Sequence, residues 1–217
     1  MSQLIVAKIE LENGKQITHY TSLNIRQDLF QHHEFELVVP FELLESKDDH
    51  FFNQSHKEVC GKSISFSFES EYNSERSFSF SFKGIVTGIA LRNTGDLSNS
   101  FILTGYSPTI LLEDSALKRT FFNASIEDIF RKVLGDYPSN LLRNKLKARN
   151  KSVIKYTVQY NETNFQFLSR MAAEYGEWFY YNGKELLLGK EETNEVEFLI
   201  DGVQSFDMAI ELNPTKF

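Results

Sequence analysis

Apolar residues recur at every second position through most of the first 107 residues. Ile64, Phe66 and Phe68 alternate with Ser63, Ser65 and Ser67, while Phe78, Phe80 and Phe82 alternate with Ser77, Ser79 and Ser81. Successive strand side chains point to opposite faces, so these six apolar groups share one face of a sheet. Residues 72–75 read as the hairpin turn between them. Beyond Phe82 the apolar parity moves to odd positions, at Ile85, Ile89 and Leu91. That shift predicts a bulge near Gly84 that bends the strand. Residues 4–11 are β-branched and apolar and lead into Asn13-Gly14. The dipeptide's preference for positive φ predicts a type I′ turn, with residues 17–25 returning antiparallel. Phe35, Leu37 and Val39 mark another strand ending at Pro40, and residues 101–106 one more. Between them, residues 41–60 lose periodicity and read as a long loop with room for one helical turn. About six antiparallel strands with a bend predict a closed barrel, because closure removes exposed edges.

From Ser125 the period becomes 3.6. Ile126, Ile129, Phe130, Val133 and Leu134 fall on one helical face, capped by Ser125 and ended by Gly135. Residues 153–160 predict a strand with Tyr156, Val158 and Tyr160 in phase. Thr163 and Gln166 form a capping box that opens a second helix carrying Phe165, Leu168, Ala172 and Tyr175 up to Gly176. Residues 178–181, Asn182-Gly183 and residues 185–188 predict a second hairpin. The expected fold class is mainly β with α+β: an antiparallel β-barrel over residues 1–112, then an α+β segment with two helices over 113–217. That segment is expected to lead into a second barrel that is incomplete in this chain.

Composition adds a core and removes several functions. Twenty Phe and nine Tyr supply apolar surface that a disordered chain lacks. The single Cys60 excludes a disulfide framework and a thiolate-rich zinc module. No apolar run is long enough to span a bilayer as a helix, so no stable membrane insertion is expected. The N-terminal residues lack the features of a secretory signal, so synthesis and folding in the cytoplasm are expected.

The net charge of −7 is unevenly distributed. Residues 1–116 hold 9 basic and 16 acidic side chains, residues 117–160 hold 10 and 3, and residues 161–217 hold 4 and 11. The densest basic run is Arg143, Lys145, Lys147, Arg149 and Lys151. An acidic run follows at Glu191, Glu192, Glu195, Glu197 and Asp201. Opposite blocks of this kind set register and encounter rate between docking surfaces, so these charges are candidate subunit contacts. The alternative is ordinary solvated faces. Nucleic acid fits poorly, since the chain is acidic overall and its basic run carries no aromatic ring for bases to stack on.

Candidate chemistry is sparse. No glycine-rich phosphate cradle and no GxSxG elbow occurs, and no cofactor is expected. His32 and His33 adjoin on a strand and point to opposite faces, which suits one metal poorly. A set of His50, His56 and Cys60, the carboxylates Glu69 and Glu71, and a ligand groove along Trp178-Phe179-Tyr180-Tyr181 are conceivable alternatives. None is assembled as an active site, and no catalysis is expected.

Residues 159–181 carry a recognisable stretch: Gln159-Tyr160, Glu162-Thr163, Phe167-Leu168, Arg170, Glu174 and Gly176, then the aromatic strand from Trp178. Upstream, Gly84-Ile85-Val86, Tyr106-Ser107-Pro108, Leu111-Leu112 and Arg119-Thr120-Phe121 follow in the matching order. The chain thereby resembles the VgrG family of type VI secretion spike proteins, whose N-terminal region is similar to the hub of a contractile phage baseplate. It departs from that family's usual pattern at Asn161, where Arg is common, and at Met171, where Leu is usual. The resemblance implies a structural hub that forms a homotrimer, seats an Hcp-like tube and contacts baseplate proteins and effectors. It also implies assembly in the cytoplasm followed by injection. The oligonucleotide-fold and needle portions of that family have no counterpart here, and the pattern at 210–214 reads as a strand leading onward, which suggests a fragment. Alternatives are the hub of a contractile phage, tailocin or extracellular injection system, a peptidoglycan hydrolase, or a ligand-binding β module.

Overall fold

The computed structural model describes residues 4–45, 54, 57–71, 79–93 and 99–190. Its first unit is a seven-stranded antiparallel sheet built from β1 (Leu4–Leu11), β2 (Gln16–Ile17), β3 (Ser22–Arg26), β4 (Glu34–Pro40), β5 (Ser63–Glu71), β6 (Ser79–Asn93) and β7 (Asn99–Tyr106). A short helix, α1 (Phe41–Leu44), follows β4. The strand order is β2-β1-β5-β6-β7-β4-β3, a curled half-barrel. Among the described residues β2 and β3 are its two edges.

The Phe/Ser ladder is as expected. Phe66 faces Phe82 and Phe68 faces Phe80 across β5 and β6, and Phe66 and Phe82 are fully buried. Phe78 and the turn at 72–75 lie outside the described residues. The bulge sits three residues beyond Gly84, where the β6–β7 register shifts between Val86 and Gly88. Gly84 has another task. A Cβ there would lie 2.6 Å from the Phe35 ring, and one on Gly105 would lie 2.6 Å from the same ring and 2.0 Å from the Ile85 carbonyl. The two glycines leave the space that Phe35 fills.

Two local expectations change. The Asn13-Gly14 turn has positive φ only at Gly14 (+83°), and the Leu11 carbonyl accepts the Gly14 amide at 2.9 Å. With Ile9 paired to Ile17 the loop has three residues, the type I turn plus bulge geometry instead of type I′. The return over 17–25 is also split. Only β2 pairs with β1, and the chain then crosses to pair β3 with β4 at the opposite edge, where Leu23 and Ile25 pack against the core.

A 3₁₀ helix (Pro108–Glu113) leads into the second unit: β8 (Leu117–Ala124), α2 (Ile126–Leu134), β9 (Asn144–Leu146), β10 (Ile154–Glu162), α3 (Asn164–Glu174), β11 (Phe179–Tyr181) and β12 (Leu186–Leu188). Strands β8 and β10 form an antiparallel ribbon. In a separate three-stranded sheet β12 lies between β11 and, in parallel, β9. All five predicted residues of the α2 face are buried, and both helices carry reciprocal capping boxes, Ser125/Asp128 and Thr163/Gln166.

The units are stitched together. Where β7 ends opposite Ile85, the Asn182-Gly183 turn covers the edge of β6: the Lys83 amide donates to the Gly183 carbonyl at 2.8 Å, and the Tyr181 hydroxyl donates to the Lys83 carbonyl at 3.2 Å. His32 and His33 point to opposite sides. His32 reaches Thr109 (2.8 Å) and Glu113 (3.2 Å) and lies against the Phe165 ring, with centroids 3.9 Å apart. His33 is buried, bonded to Gln27 and to the Asp28 carbonyl, and close to Phe82 and Tyr181. Burial holds both imidazoles below their ordinary pKa. One continuous cluster of buried apolar side chains includes residues from both units.

Candidate functional site

The motif of residues 159–176 folds into a polar joint between the ribbon and α3. Gln159 is fully buried on β10. Its side-chain amide donates to the Glu162 carbonyl at 2.9 Å and to Asn164 Oδ1 at 3.1 Å, and its oxygen accepts from Arg119 Nε of β8 at 3.1 Å. Arg119 also donates to Asn164 and, at 3.2 Å, to Asp136. Asn164 donates to the Tyr137 hydroxyl, which donates to Asp114 at 3.2 Å. A buried amide and a partly buried guanidinium are thus satisfied by four segments of chain, as buried polar groups must be.

A second clamp lies on the helix. Arg170 grips Glu162 through two bonds of 2.7 and 2.8 Å, donates to the Val158 carbonyl at 2.9 Å and lies 3.5 Å from Glu174. The Arg170 guanidinium beside Glu162 holds that carboxyl below the ordinary carboxylate range. Phe167 and Leu168 are fully buried, Phe167 stacking on Phe121 of β8 with centroids 5.4 Å apart. Gly176 follows α3 at φ +66°, a conformation that favours glycine. Asn161 occupies the register shift between Tyr160 and Glu162 at φ +53°, a left-handed position that Asn tolerates better than Arg. The Tyr160 ring projects into solvent, with the Lys118 amine 5.0 Å from its ring centroid.

The basic run is dispersed by the fold. Lys151 pairs with Glu127 at 2.9 Å, and Arg149 donates to the Gly176 carbonyl at 3.1 Å. Arg143 and Lys147 are exposed at either end of β9, and Lys145 between them is half-buried. Glu191, Glu192, Glu195, Glu197 and Asp201 lie outside the described residues, as do His50 and His56. Among the described residues, no group of three or more His, Cys, Asp and Glu is placed to hold a metal ion, and no helix is long and apolar enough to cross a membrane.

Sequence reasoning missed Asp136, Tyr137 and Asp114 and gave no role to Asn164, which lies within the recognised stretch; together they complete the Gln159–Arg119 joint. It also gave no role to Glu177, within the same stretch. This residue is 3% exposed, and its Oε1 accepts the Asn150 amide at 2.6 Å, while its Oε2 is buried without a hydrogen-bond partner among the described residues. No local pattern marks these positions, since their partners are distant in the chain.

A curled half-barrel joined to an α+β unit, with polar groups that lock strands to a helix, is a fold of the tail-hub type. Residues 33–195 match the phage tail baseplate hub (GPD) family, and the chain belongs to that family. It is similar in fold to a 43 kDa tail protein of prophage MuSo2 from Shewanella oneidensis (14% identity, TM-score 0.66, covering 93% of this chain and 59% of that one). It is also similar to a tail protein from Neisseria meningitidis MC58 (17%, 0.61, 85% and 50%). A third similar structure is the E. coli c3393 protein (15%, 0.60, 84% and 48%), a component of the type VI secretion system structurally similar to T4 tail proteins gp27 and gp5. The chain spans roughly half the length of these proteins. No curated protein matches it in sequence.

Proposed function

We propose that this chain is the hub part of a type VI secretion spike of the VgrG kind, a structural component that assembles with copies of itself as a trimer and seats an Hcp-like tube. The observation that carries the reading is the baseplate-hub family match across residues 33–195 on a half-barrel joined to an α+β unit. Its similarity in fold to a type VI component supports the secretion branch. In this reading residues 1–112 supply the tube-like unit and residues 113–217 the hub segment. Baseplate proteins and effectors are the further partners. Assembly takes place in the cytoplasm, and the finished spike is injected.

The second reading is the hub of a contractile phage or tailocin, favoured by the similarity to a prophage tail protein. Deleting the gene and imaging sheathed structures tests both. Loss of all contractile sheaths in the cell, restored by the wild-type gene, is the expected result. Recovery of the protein in released tail particles selects the phage reading. Sheaths of normal number and length in the deletion strain overturn both.

A further inference from the structure

The serine face of the Phe/Ser ladder points away from the core, and one end of it is walled. Ser67 on β5 and Ser81 on β6 oppose each other directly, so their Cβ atoms stand about 5 Å apart. Lys83 lies two residues beyond Ser81 on the same face. There the second unit closes a cleft of about 310 Å³ over the sheet. Its walls are the loop carrying Asn140 and Arg143 and the turn carrying Lys184.

These walls are tied to one another. The Lys83 amide donates to the Gly183 carbonyl at 2.8 Å, which fixes the turn against β6. The Lys83 ammonium donates to the Asn140 carbonyl at 3.1 Å, and the Leu186 amide donates to the Arg143 carbonyl at 2.8 Å. Lys83, Arg143 and Lys184, three cations from segments far apart in the chain, are thereby gathered around two serine hydroxyls. A cleft whose walls are already fixed has little ordering left to do when a ligand enters.

No Asp or Glu lines this cleft, although the whole chain carries a net charge of −7. Glu10, which opposes Ser65 on β1, and Glu185, which follows Lys184, are not in its walls. Among the described residues neither Arg143 nor Lys184 has a carboxylate partner, and the Ser67 and Ser81 hydroxyls make no hydrogen bond. Three neighbouring cations repel one another, and an anion placed between them relieves that repulsion. The number of donors indicates which anion. A carboxylate offers two oxygens, whereas a phosphomonoester offers three and nearly two negative charges at neutral pH.

We propose that this cleft binds a phosphomonoester group. Arg143 and Lys184 neutralise it, Ser67 and Ser81 donate to its oxygens, and Lys83 completes the site from the sheet. The site goes beyond the hub reading and does not depend on it. A free phosphate ester and the headgroup of phosphatidic acid share this chemistry.

Calorimetric titration of the 217-residue chain with glycerol 3-phosphate at neutral pH should show one site with Kd of about 1 mM or tighter. Arg143→Ala with Lys184→Ala, and Ser67→Ala with Ser81→Ala, should each weaken binding by at least about tenfold. Lys147→Ala removes an equal charge from the same basic run outside the cleft, and should change binding by less than about twofold. Thermal melting checks that each variant is folded, and Lys184→Ala alone, at an exposed turn, serves if a pair melts early. No saturation by about 10 mM overturns the site, whatever vesicles show. So does full-strength binding by a folded cleft variant, or equal weakening by Lys147→Ala. Malonate binding as tightly as glycerol 3-phosphate would overturn the phosphate assignment. With the site established, phosphatidylcholine vesicles containing phosphatidic acid separate the two sources. Co-sedimentation that glycerol 3-phosphate displaces assigns the lipid headgroup, and protein left in the supernatant assigns the free ester.

Discussion

The Arg170–Glu162 clamp gives one residue a measurable pH signature. In the folded chain the Glu162 carboxyl is held below its ordinary value of 4.5, chiefly by the hydrogen bonds from Arg170. The unfolded chain therefore binds the proton first as pH falls. The stabilisation is complete above pH 4.5 and is lost as pH drops through the lower, folded value. Glu162→Gln should destabilise the protein by about 1–2 kcal/mol at neutral pH, since both side chains keep some contact with water. The gap between variant and wild type should narrow as pH falls below 4.5 toward the folded value. Urea midpoints at neutral pH and down through the acid range check this, and a gap that does not narrow would assign the loss to packing and not to charge. Sequence spacing placed Arg170 eight residues after Glu162, and the helix start between them brings the two groups together. Both ends of this pair were legible as motif positions. Their mutual grip was not, because a motif names residues and leaves their partners unstated.

At the scale of elements, the legible features were those with local causes. The Phe/Ser ladder and the α2 face follow from periods of 2 and 3.6, and the capping boxes from side chains three residues apart. Features set by distant contacts were misread. The crossing from β2 to β3 depends on which sheet edge is free, and the room that Gly84 leaves for Phe35 has no local signal, although the bulge expected near that glycine is present between Val86 and Gly88. The Asn182-Gly183 turn illustrates both cases. Its hairpin was readable, but its role as a cover for β6 was not. Gly183 has φ +98°, and a Cβ there would sit 2.3 Å from the Ser81 carbonyl. Gly183→Ala should therefore cost at least about 2 kcal/mol through strain and lost docking. The Lys83 amide, which donates to Gly183, should lose hydrogen-exchange protection while amides in β4 and β7 keep theirs. Equal loss throughout the sheet would mean that the turn supports the whole half-barrel.

At the scale of the whole molecule, the alternating charge blocks meet a specific geometry. Strand β12 runs parallel to β9, and the Lys147 amide donates to the Leu188 carbonyl at 2.8 Å. Strand β12 thus ends at Leu188 beside Leu146, within the basic run. Not every cation of that run is available. Lys151 is committed to Glu127, whose carboxyl it holds below the ordinary range, and Arg149 to the Gly176 carbonyl. Exposed Arg143 and Lys147 are the members suited to steering a second acidic surface. Reversing these two, Arg143→Glu with Lys147→Glu, should weaken self-association at low ionic strength by several-fold. The deficit should vanish near 1 M salt, where the Debye length is about 3 Å. Lys151→Glu should act differently, lowering the stability of the monomer by about 1 kcal/mol with little salt-dependent effect on association. Light scattering across a salt series, paired with thermal melting of each variant, separates the two outcomes. If the double reversal associates as strongly as wild type at low salt, the basic block is a solvated face.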